Sequence, residues 1–342
     1  MPADHRPAPR FRRDQSHAPR PADAAPTPPT GRGLRVIVTG ASSGLGAAVA
    51  RALASEGHRI ALVARRVDRL EEVAAEVARL GGTPFVVPAD LADPAESGRV
   101  VAEVVAPFGG LDGLVNNAGL GLPRYFAESD PRAIADQVAV NLAAPMLLAR
   151  HALPELLASR GTIVNIGSAI TAVANPILGA YGATKAGLAS WNDALRREVR
   201  HRGVAVCHVD LGPIPTEFFD AVRLRSAPGA PSPLGIDPPT DGIYNALRDR
   251  PPALIEARLE VAARRVAGLL TRPRRRLALP LRIVVPIRLV GVLFHLLPRL
   301  GDLAITAMIR RVEREEARNP GPAREPGRPR VDRLKAWGRR AP

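Results

Sequence analysis

The chain has 342 residues, 46% hydrophobic and 24% charged, enough for one large domain or two small ones with a real core, which excludes wholesale disorder. Its net charge of +15 is uneven: residues 1–33 carry six arginines against three acids, residues 248–342 carry 23 basic residues against nine acids, and the stretch between has 19 basic and 21 acidic residues. The near-neutral middle argues against a nucleic-acid-binding core, and the single cysteine, Cys207, excludes a disulfide framework or a multi-cysteine metal site, so no metal is expected and a reducing compartment fits.

Residues 1–33 are rich in Pro, Arg and Ala without apolar periodicity and read as a disordered tail. A regular alternation starts at Leu34. Short apolar runs at Arg35–Val38, Ile60–Val63, Pro84–Val87, Leu111–Val115, Thr162–Ile166 and Val204–Val209 read as buried strands. Helical spacing separates them, over Leu45–Ser55, Val67–Leu80, Glu96–Ala106, Ile134–Leu157 and Ala180–His201. Gly57, Gly81–Gly82 and Gly203 sit where glycine closes a helix. Apolar strands each followed by a helix predict an α/β fold: a doubly wound parallel sheet, Rossmann-like in three αβα layers, with a helical C-terminal extension.

The predicted domain division is a tail at 1–33, the doubly wound α/β domain at 34–247, an extension at 248–316 and a basic disordered tail at 317–342. Glu217–Pro239 is Pro- and Gly-rich and reads as a functional loop. Within the extension, Ile255, Leu259, Ala262, Val266 and Leu269 fall at helical spacing, Ile283–Pro286 reads as a final strand, and Leu300–Val312 is amphipathic. No run of 18 uncharged apolar residues occurs and the N-terminus lacks a signal-like apolar core, so the expected location is cytoplasmic, with or without membrane association.

Thr39-Gly40-Ala41-Ser42-Ser43-Gly44-Leu45-Gly46 lies between the first strand and the first helix. Glycines there let the backbone turn tightly and approach a pyrophosphate, and a helix N-terminus offers free N–H groups and a positive dipole end. At the end of the second strand Ala64 stands where an acid would bind the ribose hydroxyls of NAD, and Arg65 and Arg66 follow; this favours NADP(H) over NAD.

Tyr181 and Lys185 form an i, i+4 pair at the start of a helical stretch. A phenol with pKa ~10 exchanges protons poorly near neutrality unless a nearby cation stabilises the phenolate, and Lys185 is the sole lysine before residue 335. Such a tyrosine can give a proton to a carbonyl oxygen, or take one from an alcohol. Ser168 directly follows the fifth strand, at the sheet edge where ligands bind.

With these residues assembled, the chain resembles the short-chain dehydrogenase/reductase family over about Leu34 to Thr216. The Thr39–Gly46 turn matches the family's TGxxxGxG pattern, Asn116-Asn117-Ala118-Gly119 its NNAG motif, and Tyr181 to Lys185 its YxxxK pair. The resemblance implies that Thr39, Gly40, Ser42, Ser43, Gly44, Leu45 and Gly46 hold the pyrophosphate end of the cofactor. It implies that Asp90 and Leu91 meet the adenine, that Asn117, Ala118 and Gly119 lie beside the cofactor, and that Gly212, Ile214 and Thr216 wrap the nicotinamide. Ser168 and Tyr181 would flank the substrate oxygen, Lys185 would tune the phenol and bond the nicotinamide ribose, and Asn141 would hold a water in a proton relay. Two departures stand out: Leu211-Gly212 replaces the usual Pro-Gly, and Ser43 stands where some NADP-specific members carry a basic residue.

The implied activity is carbonyl–alcohol interconversion on a hydrophobic small molecule, since Leu120, Leu122, Phe126, Phe218 and Phe219 surround the expected pocket. A different class of reading, a catalytically idle binding or scaffold protein on the same fold, conflicts with the intact Ser–Tyr–Lys set. Homo-oligomers are common in the family, so one is expected here. For the extension three readings stand: a nucleic-acid-binding tail, which lacks aromatic stacking platforms; peripheral contact with an anionic membrane through residues 250–316; and plain cover for the sheet and the substrate entrance.

Overall fold

The computed structural model describes residues 33–122, 126, 129–174, 178–212, 252–304 and 306–307. Seven parallel strands form one sheet in the order β3-β2-β1-β4-β5-β6-β7: β1 (Arg35–Thr39), β2 (Arg59–Ala64), β3 (Thr83–Pro88), β4 (Gly113–Asn116), β5 (Thr162–Ile166), β6 (Ala205–Leu211) and β7 (Arg276–Leu279). The chain runs outward from β1 to β3, then crosses back to place β4 on the other side of β1. That reversal opens a crevice above the carboxyl ends of β1 and β4, the place where such sheets bind ligands.

The strands are apolar on both faces because helices cover both. Val36, Val38, Ile60 and Leu62 meet α1 (Gly44–Ala54), α2 (Val67–Arg79) and α7 (Pro252–Ala267), the last through Ala262, Ala263 and Val266. On the other face, Ile37, Val63, Leu114 and Ile163 meet α3 (Pro94–Phe108), α5 (Ala144–Ser159) and α6 (Gly179–Val199), through Val100, Val104, Leu148, Leu156 and Leu195. Caps fix where helices start. Asp93 accepts the Ala95 N–H at the head of α3, with Pro94 in its first turn; Asp130 accepts the Arg132 N–H at the head of α4 (Pro131–Val138) in the same way. Gly57, Gly81 and Gly203 adopt positive φ, as their places past helix ends lead one to expect. Cys207 is buried, and burial pushes its thiol up to about 11.

Two expectations need correction. The helix read over Ile134–Leu157 is broken: a π turn, Ala139–Ala143, separates α4 from α5. Pro145 has no N–H to offer the Asn141 carbonyl, so the α-helical ladder cannot run through this point. The final strand is Arg276–Leu279, and residues 283–286 lie instead in α8 (Leu281–Leu296). Arg276 on β7 pairs with buried Asp210 of β6, at 3.4 Å, and Leu279 enters the core, which ties this segment to the sheet edge. The expected tails, the 217–239 loop, Ile214, Thr216, Phe218 and Phe219 lie outside the described residues.

At the amino end of the sheet, Asp112 binds Arg35 at three points. Its Oδ2 accepts the Arg35 backbone N–H at 2.9 Å and Nε at 2.8 Å, and its Oδ1 accepts Nη2 at 2.9 Å. Burial pushes the Asp112 carboxyl up, but the hydrogen bonds and charge of Arg35 outweigh it and hold the group below its ordinary 3.8. A depressed folded value means the stabilisation is whole above 3.8 and drains as pH falls through the folded value. Asp112→Asn should cost about 3 kcal/mol at neutral pH, and the gap to wild type should narrow in acid. Denaturant titrations at neutral and acid pH check both the size and the direction.

Candidate active site

The turn after β1 is built around close backbone approach. Gly40 has φ +65°, and a Cβ there would press on the Ala118 backbone; a Cβ at Gly46 would collide with the Gly40 carbonyl. Thr39 Oγ1 accepts the N–H groups of Asn117 and Ala118 at 2.9 and 3.0 Å, and Asn117 Nδ2 donates to the carbonyls of Thr39 and Gly40 at 2.9 and 3.3 Å. The ends of β1 and β4 are thereby locked together under the crevice. α1 starts at Gly44 with no acid in its first turn, so its positive end faces an anion without competition. Leu45 is buried beneath it.

Arg66 reaches over this turn: its Nη2 donates to Ser43 Oγ at 2.9 Å and to Ser42 Oγ at 3.3 Å. Arg65 lies 3.8 Å from Asp90, and both side chains are about half exposed. Asp90 Oδ1 accepts the Ala92 N–H, while Leu91 is buried. Two arginines, two hydroxyls and a helix N-terminus thus converge beside the second strand's end.

The second cluster lies across the crevice. Lys185 is fully enclosed; its Nζ donates to the Ile166 carbonyl at 2.9 Å and stands 5.9 Å from the centre of the Tyr181 ring. Burial lowers its pKa from 10.5 to about 8. Ser168, two residues past that carbonyl, caps a 3₁₀ turn, Ala169–Ala172, accepting the Ile170 N–H at 3.3 Å. Asn141, in the π turn, is completely buried. Its Oδ1 accepts the Leu120 N–H and its Nδ2 donates to the Leu120 carbonyl, both at 2.7 Å, with a further bond from Nδ2 to Thr184 Oγ1 at 3.1 Å. Gly119 lies between: a Cβ there would stand 3.4 Å from Asn141 Oδ1 and 3.6 Å from Lys185 Nζ. Asn141, Ser168 and the Tyr181–Lys185 pair of α6 thus come from three chain segments to one sheet edge. Gly212 N–H donates to the Leu279 carbonyl at 2.7 Å, a sheet-edge bond.

Sequence reasoning missed a buried row of amides. Asn116 Nδ2 donates to Asn165 Oδ1 at 2.8 Å, and Asn165 Nδ2 to Asn192 Oδ1 at 2.9 Å. It links β4, β5 and α6 beneath the site. The available signal was Asn165, a polar residue inside an otherwise apolar strand. His208 and Asp210, both 1% exposed, were also missed; Asp210 is met by Arg276 of β7 and by Arg288 of α8 at 3.2 Å.

Because the folded chain holds Lys185 below its ordinary value, it binds fewer protons than the unfolded chain between about 8 and 10.5, and stability rises with pH across that window. Lys185→Met is expected to gain relative to wild type near neutrality and to lose that advantage as pH rises through the window. Urea titrations across it check this; parallel pH profiles for the two proteins would contradict the burial.

A model of the short chain dehydrogenase family matches residues 35–226. The 3-oxoacyl-[acyl-carrier-protein] reductase FabG of Staphylococcus aureus (strain MW2) is 36% identical over 188 residues, 54% of this chain and 76% of that protein. The 11-beta-hydroxysteroid dehydrogenase-like 2 of Arabidopsis thaliana is 37% identical over 172 residues, 49% of this chain and 55% of that protein. Among solved structures, a metagenomic short-chain oxidoreductase in complex with NADP aligns with a TM-score of 0.50 at 35% identity, covering 56% of this chain and 90% of that one. A dehydrogenase/reductase from Sinorhizobium meliloti 1021 aligns with a TM-score of 0.58 at 28% identity, covering 71% and 92%. With more than half of its length matched by the family model, and with the family's seven-stranded sheet, the chain belongs to the short chain dehydrogenases.

Proposed function

We propose that the chain is an NADP(H)-dependent oxidoreductase that interconverts a carbonyl and an alcohol on a hydrophobic small molecule, with Tyr181 as general acid and base. The observation that carries this reading is the enclosed Lys185 ammonium, fixed on the Ile166 carbonyl one helical turn from Tyr181. The crevice suits such a cofactor because the α1 N-terminus opens on it with no acid in its first turn, and Arg66, Ser42 and Ser43 stand beside it. Thr39, Ser42, Gly44, Leu45 and the α1 N-terminus would hold its pyrophosphate, Asp90 and Leu91 its adenine, and Asn117, Ala118, Gly119, Gly212, Ile214 and Thr216 its nicotinamide half. Arg65, Arg66 and Ser43 supply the cation and donors that a 2′-phosphate requires, which favours NADP(H). The bound cofactor supplies or accepts a hydride.

In reduction, Tyr181 Oη gives its proton to the carbonyl oxygen, leaving a phenolate that the Lys185 charge stabilises. In oxidation the phenolate takes the alcohol proton back. Ser168 donates to the same oxygen as negative charge develops on it. Asn141 fixes the Gly119–Leu120 backbone beside Lys185. Pro145 denies the Asn141 carbonyl its helical donor, so this oxygen would hold the water linking Lys185 to solvent. Leu120 and Leu122 would line an apolar substrate pocket. The single buried cysteine accords with work in the cytoplasm, and a homo-oligomer completes the reading.

Tyr181→Phe should lower kcat at least ~10³-fold while leaving NADPH affinity within about twofold, read by steady-state rates on a carbonyl panel and by fluorescence titration. Full turnover in that variant would refute the assignment. Arg66→Ala should weaken NADPH binding about tenfold and leave NADH binding nearly unchanged; equal losses for both would assign Arg66 to the turn's structure alone.

A further inference from the structure

The last long helix is inverted. α8 turns Val284 and Gly291 toward the body, yet on its outer side Leu281, Val285, Leu289, Val292, Leu293 and Leu296 are 41% to 71% exposed. An ordinary surface helix shows water its polar side. A contiguous apolar face of this length, about 24 Å for 16 residues, marks a surface that something covers.

The charge around it selects the occupant. Residues 272–311 hold nine arginines and one acid, Asp302. Arg275 is engaged with Asp193, and Arg276 and Arg288 with Asp210, which leaves Arg282 and Arg299 in the sequence of the helix and its C-terminal flank, against the one acid Asp302. Two copies of the chain joined through α8 would bring two such arginine sets together with almost no acid to meet them. Anionic lipid satisfies both parts: acyl chains for the leucines and valines, headgroup phosphates for the arginines. No described helix is long and apolar enough to cross a membrane, so α8 would lie along the surface.

α8 also bears on the site. Gly291 packs against the Ala172 carbonyl in the 3₁₀ turn that follows Ser168, so closely that a Cβ would collide with it, and Arg288 ties the helix to Asp210. We propose that the outer face of α8 is an interfacial binding surface for anionic membrane, and that it holds the Tyr181 crevice beside the bilayer, where a lipid-dissolved carbonyl or alcohol can enter. The second half rests on the function proposed above; the first does not.

The test is flotation of the full chain with vesicles of phosphatidylcholine alone or mixed with phosphatidylglycerol, at low and high salt. Binding to the mixed vesicles, reduced by salt, is expected. Leu289→Glu combined with Leu296→Glu should weaken it at least ~tenfold while NADPH binding and the thermal transition persist. Absence of flotation with both vesicle types at low salt overturns the proposal, as does undiminished flotation of the folded double variant. A wild-type dimer that dissociates in the variant, without vesicle binding, gives the face to a second copy instead. If the variant fails to fold, amide exchange of the wild-type 281–296 segment with and without mixed vesicles decides: protection supports the proposal and its absence overturns it. Tyr181→Phe should float like wild type, so lost turnover and lost flotation report on separate claims.

Discussion

The candidate site centres on one costly placement: an ammonium taken out of water, with the Ile166 carbonyl at 2.9 Å as its hydrogen-bond partner among the described residues. Among the described residues no acid pairs with this cation, and a buried charge of that kind marks a candidate functional site. Here the neighbour is the Tyr181 ring, and the segments that enclose Lys185 are those that carry Ser168, Gly119 and Asn141. The sheet edge exists in its present form because each of these segments is fixed by bonds that do not involve Lys185. Asn141 clamps Leu120, the Thr39 hydroxyl clamps Asn117 and Ala118, and the amide row clamps β4 to β5 and α6. Preorganisation of this kind lets a charge remain where water cannot relax around it.

Much of this was legible in the residues. Apolar runs of strand length separated by helical periods predicted six of the seven strands, because a doubly covered sheet leaves no polar face to confuse the pattern. β7 was missed because an edge strand flanked by arginines looks like a charged linker. Its partner Asp210 lies 66 residues earlier in the chain, and no local pattern reports that pairing. The π turn was missed for another reason. The apolar period continues through it, and only the missing N–H of Pro145 betrays the break.

The candidate site divides along the same line. Residues announced by unusual chemistry, such as the sole lysine of the middle region and the clustered glycines, could be picked out one by one. The supporting frame could not. Asn165 and Asn192 each look like an ordinary polar residue until the fold aligns them, and the use of Arg66 against Ser42 and Ser43 requires two turns to meet in space. Local sequence identifies reactive groups better than the contacts that hold them, since those contacts span 20 to 80 positions.

The seat of Gly291 against Ala172 has a bearing on the rim of the crevice. Two backbones this close leave no room for a side chain or a water between them. The turn after Ser168 and the helix Leu281–Leu296 are therefore packed directly together, although more than a hundred residues lie between them. A displacement of that helix reaches the rim of the crevice through a backbone contact rather than through a chain of side chains.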